Sequence, residues 1–173
     1  MDLIDILIRD GWLKTPEIVD AFRKIKRADF LPVSLASGPE KIKDLSELNE
    51  ALPIGYGQTI SQPLVVAFML ELLQPKEGDE ILDVGFGSGW TTALLAEIVK
   101  EKGKVIAIEI IPELMELGKK NISKYNFINK GIIECFCADG SEGYPALSSG
   151  FDKVLASASI RPEDKEFAKG GFN

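Results

Sequence analysis

Residues 80–90 read "EILDVGFGSGW". The first part, "EILDVGF", is a continuous apolar run of strand length. Gly85, Gly87 and Gly89 follow at alternate positions. They let the backbone turn sharply and come close to a ligand. Trp90 then leads into "SGWTTALLAEIVKEKG", an amphipathic helical pattern that closes on Gly103. Strand, glycine loop and helix in this order mark the first unit of an open α/β sheet. In such sheets, ligands bind beyond the carboxyl ends of the strands, and helix N-termini offer free N–H groups.

The same alternation continues towards the C-terminus. "KVIAIEI" reads as a second buried strand and "PELMELGKKNISKY" as a helix with Pro112 at its start. "GIIECFCA" gives a third strand, "FDKVLASAS" a fourth, and "PEDKEFAKGG" a short final helix. Buried strands joined by helices imply a parallel sheet with right-handed crossovers. On the N-terminal side, Pro63 to about Leu73 forms an apolar helix, punctuated by Pro75 and Gly78. Two further helices are expected in "DLIDILIRDG", stopped by Gly11, and in "KTPEIVDAFRKIKR", with Thr15 as cap and Pro16 at the first helical position. Ile18, Phe22 and Ile25 share a face of the latter. "ADFLP" ends that unit, and residues 33–52 read as loop and short helix. One domain accounts for the whole chain: a helical part with a polar loop at residues 1–62, then an α/β core at 63–173.

Composition narrows the chemistry. The 173 residues are 45 % hydrophobic, enough for one domain with a real core. No apolar run approaches the ~20 residues of a membrane span. The N-terminus carries acids within its apolar stretch and has no basic lead, so a cytoplasmic location is expected. A net charge of -7, from 20 basic and 27 acidic residues, opposes non-specific binding to nucleic acid. Cys135 and Cys137, two apart on one strand, fall short of the roughly four ligands a metal needs; they read as reduced core thiols. The chain has no histidine, which removes the usual general base and the Ser-His and Cys-His pairs.

The strand ends can be read for ligands. A dinucleotide fingerprint has its third glycine at the sixth position, where this chain has Trp90. The G-x-G-x-G spacing therefore disfavours NAD and suits a cofactor without a pyrophosphate; alone, it would also serve close helix packing. Glu109 ends the second strand about 20 residues later, where an acid accepts from ribose hydroxyls. Taken alone it would be an ordinary solvated acid. Asp139 and Gly140 end the third strand and would flank an adenine; out of context, "DG" is a plain turn.

These strand ends resemble class I methyltransferases that use S-adenosylmethionine. "KRADFLP", "LPIGYGQTISQP", "ADGSEGYPALSSGFD" and "KGGF" together look like the protein-L-isoaspartate O-methyltransferase family, from about residue 11 to the end. The resemblance implies a Rossmann-like fold, a mostly parallel sheet with helices on both faces. It also implies methyl transfer to the free carboxylate of L-isoaspartyl residues in damaged proteins, the first step of a repair. Ser61 matches the family's active-site serine, with Thr59, Ile60 and Gln62 lining the same site. By the same match, Asp83, Gly85, Gly87, Ser88 and Gly89 line the methionine part of the cofactor. Glu109 with Ile110 takes the ribose, and Asp139 with Gly140 the adenine. The missing histidine fits, because a carboxylate is already ionised at neutral pH and needs no base. Ser61 could equally cap the helix that begins at Pro63.

Family members run on past the "GG", whereas here only Phe172 and Asn173 follow it. The sheet is therefore expected to lack its last strands, leaving the fourth at an open edge able to pair with another chain. The family is monomeric by the same resemblance. Two rival expectations stand beside an active enzyme: a shortened relative that binds the cofactor or only folds, and a methyltransferase acting on RNA or a small molecule.

Overall fold

The computed structural model describes residues 2–35, 38–140 and 150–158. Helices α1 (Leu3–Arg9), α2 (Pro16–Lys24) and α3 (Pro39–Ser46) come first, with 3-10 turns at Arg27–Phe30 and Val33–Leu35. Strands β1 (Leu52–Gly55) and β2 (Gln58–Ile60) follow, then α4 (Pro63–Leu73), β3 (Glu80–Val84), α5 (Trp90–Val99), β4 (Lys104–Glu109), α6 (Pro112–Ile122), β5 (Ile133–Cys137) and β6 (Lys153–Ala156). Prolines stand at the starts of α2, α3, α4 and α6, where the missing N–H costs nothing. The expected final helix, residues 141–149 and Ser159 lie outside the described residues.

The four later strands form one parallel sheet in the order β5-β4-β3-β6. β3 is central, in register with β4 (Asp83 opposite Ala107) and with β6 (Asp83 opposite Leu155). The chain steps outward from β3 to β4 to β5, then returns to the other side of β3. That reversal opens a crevice at the carboxyl end of β3. One face of the sheet presents Ile81, Val105, Ala107 and Ile133 to the main core. The other face carries Leu82, Val84, Ile106 and Ile108, packed with Phe136 and Val154.

Three expectations change. The helix after the glycine loop is not amphipathic: apart from Glu97, every residue of α5 is buried. The N-terminal helices cover the side that a two-layer unit would leave wet; Phe22 of α2 meets Trp90 of α5 edge to face at 5.5 Å. Leu94 and Leu95 are fully buried, each worth about 1.5–3 kcal/mol. Secondly, Thr15 does not cap α2 with its own side chain. Glu71, from α4, caps it instead: Oε1 accepts from the Lys14 and Thr15 amides at 2.7 and 2.8 Å, and the Thr15 hydroxyl donates to Oε2 at 2.7 Å. Thirdly, only Cys135 is half-buried, while Cys137 is exposed where β5 runs out of the sheet. Burial pushes the Cys135 thiol up to about 11, so it is inert at neutral pH.

Residues 33–52 hold the expected short helix, α3, and also the start of a hairpin in place of loop. β1 and β2 pair antiparallel, Leu52 with Ile60 and Pro53 with Thr59. Tyr56 and Gly57 make the turn, both at positive φ, as two-residue hairpin turns demand. Leu52, Ile54 and Ile60 point into the core. No helix among the described residues is long and apolar enough to cross a membrane.

Candidate active site

Below the crevice, the turn from β3 into α5 runs through Gly85, Gly87 and Gly89 at φ +80°, +50° and +89°. Gly85 lies under the end of β6: a Cβ there would stand 2.6 Å from the Ala158 Cβ. The Ser157 and Ala158 amides both donate to the Val84 carbonyl, which folds β6's end across the turn. Gly118 of α6 is the matching contact from the other side, since its Cβ would stand 2.4 Å from the Gly87 carbonyl oxygen. The glycines thus serve close packing as well as whatever binds above them.

Glu109, at the end of β4, is nearly fully buried and ties the turn to the next strand. Its Oε2 accepts from the Gly87 amide at 2.9 Å and its Oε1 from the Ile111 amide at 3.0 Å. Each oxygen keeps lone-pair capacity for a ligand hydroxyl. Asp83 sits deeper, fully buried. Its Oδ2 accepts from the Thr92 hydroxyl at 2.6 Å, whereas Oδ1 has no partner. Burial above all, with the Glu109 charge adding to it, pushes the Asp83 carboxyl up to about 6; the Thr92 bond works the other way.

On the hairpin side, Ser61 lies between β2 and α4. It is not the cap of α4. Gln62 holds the N-cap position without a side-chain bond, and the Leu64 amide is met by Asn49 Oδ1 at 3.0 Å. The helix-cap reading of Ser61 therefore falls, because a distant asparagine has taken the task.

These pieces enclose a cavity of about 370 Å3, in the range of small-molecule sites. Of the residues expected at a site, Thr59, Ile60, Ser61, Gly85, Gly87, Ser88, Glu109, Ile110, Asp139 and Gly140 line it. Gln62, Asp83 and Gly89 do not. Asp83 points under the sheet towards Thr92, Gly89 is turned to Ile122, and Gln62 has already entered the helix cap. Wall residues absent from the sequence reading include Ile54 and Gln58 of the hairpin, Trp90 and Thr91 of α5, and Ser157 with Ala158. The hairpin pair could have been found from the alternation of Leu52, Ile54 and Ile60, had Pro53 not masked it. Ser157 and Ala158 have no local signal, because they reach the site only by way of sheet order.

A parallel sheet with this reversal and a glycine turn under its central strand is the fold of class I methyltransferases. A sequence profile described as protein-L-isoaspartate(D-aspartate) O-methyltransferase matches residues 1–164. The protein-L-isoaspartate O-methyltransferase of Methanopyrus kandleri is 36 % identical over 156 residues, which is 90 % of this chain and 65 % of that protein. A solved protein-L-isoaspartate O-methyltransferase superposes with a TM-score of 0.76 at 26 % identity, over 91 % of this chain and 47 % of its own. A putative one from Plasmodium falciparum, solved with S-adenosyl-L-homocysteine, has the same fold at a TM-score of 0.75 and 21 % identity, covering 94 % of this chain and 75 % of its own. This chain belongs to the protein-L-isoaspartate O-methyltransferase family. It spans just under two thirds of the Methanopyrus relative's length.

Proposed function

We propose that the chain transfers a methyl group from S-adenosylmethionine to the free carboxylate of L-isoaspartyl residues in damaged proteins. One observation carries this reading: a single cavity joins Ser61, on one wall, to the glycine turn, Glu109 and Asp139 on the other. The residues fit such a cofactor. Gly85 and Gly87 bring bare backbone to the cavity, two carboxylates at successive strand ends line it, and a buried acid beneath has one oxygen unmet. Gly85, Gly87 and Ser88 would hold the methionine part. Glu109, with Ile110 at the rim, would take the ribose, and Asp139 with Gly140 the adenine. Asp83, Gly89 and Gln62 support these residues from behind the wall. When bound, the cofactor supplies a methyl group on a positively charged sulfur.

The chain's own residues then have a modest task. Ser61 donates its hydroxyl to one carboxylate oxygen and so aims the other, and Thr59 and Ile60 wall that side. The carboxylate, with an ordinary pKa near ~4, arrives ionised, so no base is required. Alignment and exclusion of water provide the acceleration. Residues 1–62 supply the acceptor wall and 63–173 the cofactor wall of one domain. A cytoplasmic monomer agrees with the two free cysteines, although β6 is outermost among the described strands and offers an edge for pairing.

The test is incubation of the chain with labelled S-adenosylmethionine and an isoaspartyl peptide, with its aspartyl twin as control. Transfer to the first alone is expected. Calorimetric binding of S-adenosylhomocysteine without transfer would mean a binding-only relative, and transfer to RNA or a small acceptor instead would move the chain to another methyltransferase class.

A further inference from the structure

The acceptor wall conceals a cation that the proposed transfer leaves unused. Arg27, in the 3-10 turn Arg27–Phe30, is only 6 % exposed. Its guanidinium donates to four main-chain carbonyls: Nη1 to Ser46 at 3.3 Å and Leu48 at 3.0 Å, Nη2 to Glu50 at 2.6 Å and Ser61 at 3.3 Å. Nε is buried without a partner. Among the described residues the ion pairs do not include Arg27. The guanidinium carbon lies 5.5 Å from the centre of the Trp90 ring, at the residue that opens α5 just after the glycine turn. Ser61 and Trp90 both line the cavity. The turn that carries Arg27 is itself pinned, since the Tyr125 hydroxyl donates to Asp29 and accepts from the Lys26 amide.

Burying a charge with no opposite charge beside it is costly. Desolvation lowers the Arg27 guanidinium to about 10, which still leaves it charged at neutral pH. Carbonyl dipoles meet its donors but do not cancel its charge. Across the cavity the fixed groups have the opposite sign: Asp83 and Glu109 are both buried under the glycine turn. The cavity therefore has an acidic floor on the sheet side and a basic one behind Ser61. A cation suits the first and an anion the second.

We infer that Arg27 is a positioning residue that holds the Ser61 backbone against Trp90 and whose unpaired charge makes the site prefer an anionic acceptor to a neutral one of the same shape. This rests on the proposed transfer, and deepens it by naming what selects the carboxylate. The preference is long-range and needs no contact between guanidinium and substrate.

The experiment compares two peptides that differ only in having isoaspartate or its neutral side-chain-like carboxamide. Their dissociation constants are measured calorimetrically with S-adenosylhomocysteine bound, for the wild type, Arg27→Gln and Arg27→Lys. The wild type should bind the carboxylate about tenfold more tightly, the size of one charge acting across several ångströms of protein. Arg27→Gln should reduce that ratio to about two while S-adenosylhomocysteine affinity is kept. Arg27→Lys should keep the ratio and lower turnover, since one ammonium cannot bridge four carbonyls. A structural role alone would weaken both peptides equally. An unchanged ratio in folded Arg27→Gln overturns the inference. Should that variant not fold, Arg27→Lys decides: a ratio lost in spite of the retained charge overturns it too. Equal binding of both peptides by a wild type that still methylates isoaspartate sinks this inference alone, whereas a wild type without transfer sinks the function and the inference together.

Discussion

At the sheet ends, the cavity wall is centred on the two innermost strands, and its main-chain groups are met from other elements. Gly85 N donates to the Ile108 carbonyl at 2.7 Å, Gly87 N to Glu109, and Asn121 to the Ser88 carbonyl at 3.1 Å. The hairpin wall is different. Two short strands share three paired positions, and their outer sides are exposed at Pro53, Gln58 and Thr59. It is fixed mainly by Leu52, Ile54 and Ile60 dipping into the core. The first wall is preorganised by strand geometry, the second by its own apolar side chains set in the core and by Arg27, which donates to the Glu50 and Ser61 carbonyls. Damage to the first should therefore cost fold and cofactor together, and damage to the second should separate turnover from stability.

The sharpest way to break that contrast is Gly118→Ala, at a position of α6 that does not line the cavity. Its Cβ would meet the Gly87 carbonyl oxygen, which is backbone and cannot rotate away. A loss of about 3 kcal/mol in urea unfolding is expected, as for a tight overpacking, together with at least a roughly tenfold weaker S-adenosylhomocysteine affinity. A variant of unchanged stability would show that the glycine turn yields easily.

Asp83 tests the same wall by pH. Its folded value of about 6 lies above the ordinary 3.8, so folding takes up a proton between them. Stability must then fall as pH rises from about 4 to about 6, by up to about 3 kcal/mol, and be level above that. Asp83→Asn should lack this slope, so that the stability difference between wild type and variant itself falls across the range in denaturant titrations. A slope that persists in the variant would assign it to other groups.

On the hairpin wall, Ser61→Ala should lower turnover about 100-fold, the loss of one transition-state donor, with S-adenosylhomocysteine affinity within about twofold. Equal loss of both would merge the two walls. Glu71 anchors the helix behind Ser61 to the N-terminus of α2. Burial works to raise its pKa, but the bonds from Thr15 and Lys14 outweigh that and hold it below the ordinary value. Its contribution is thus full above the unfolded pKa and lost as pH falls through the folded one. Glu71→Gln should cost about 1–2 kcal/mol at pH 7 and much less near pH 3, by thermal unfolding at the two pH values.

The two walls also differed in how far the sequence revealed them. The β3–α5 turn was legible because strand, glycines and helix are adjacent in the chain, and Glu109 and Asp139 end strands whose apolar runs are plain. α4 was found from Pro63 to Leu73 for the same local reason. The hairpin was not legible, because Pro53 interrupts a four-residue strand and Tyr56 is an unusual residue for a turn at positive φ. α5 looked amphipathic because burial on its outer side comes from α2, some 70 residues earlier. Such facts depend on pairing at long range, which spacing along the chain does not contain.

Tyr56 offers the finest probe of the second wall. It sits at φ +53°, next to Gly57 at +70°, in a two-residue turn, and its ring is largely exposed. A left-handed backbone costs most L-residues roughly 1–2 kcal/mol, and asparagine is among the few that tolerate it. Tyr56→Asn should therefore stabilise the fold by about 0.5 kcal/mol, seen as a small rise in denaturation midpoint with an unchanged slope. If the hairpin merely shields the site, turnover will not change. If Tyr56 also touches the incoming peptide, the Michaelis constant will rise while stability improves, a combination that a rigid sheet-end residue such as Gly85 could not produce.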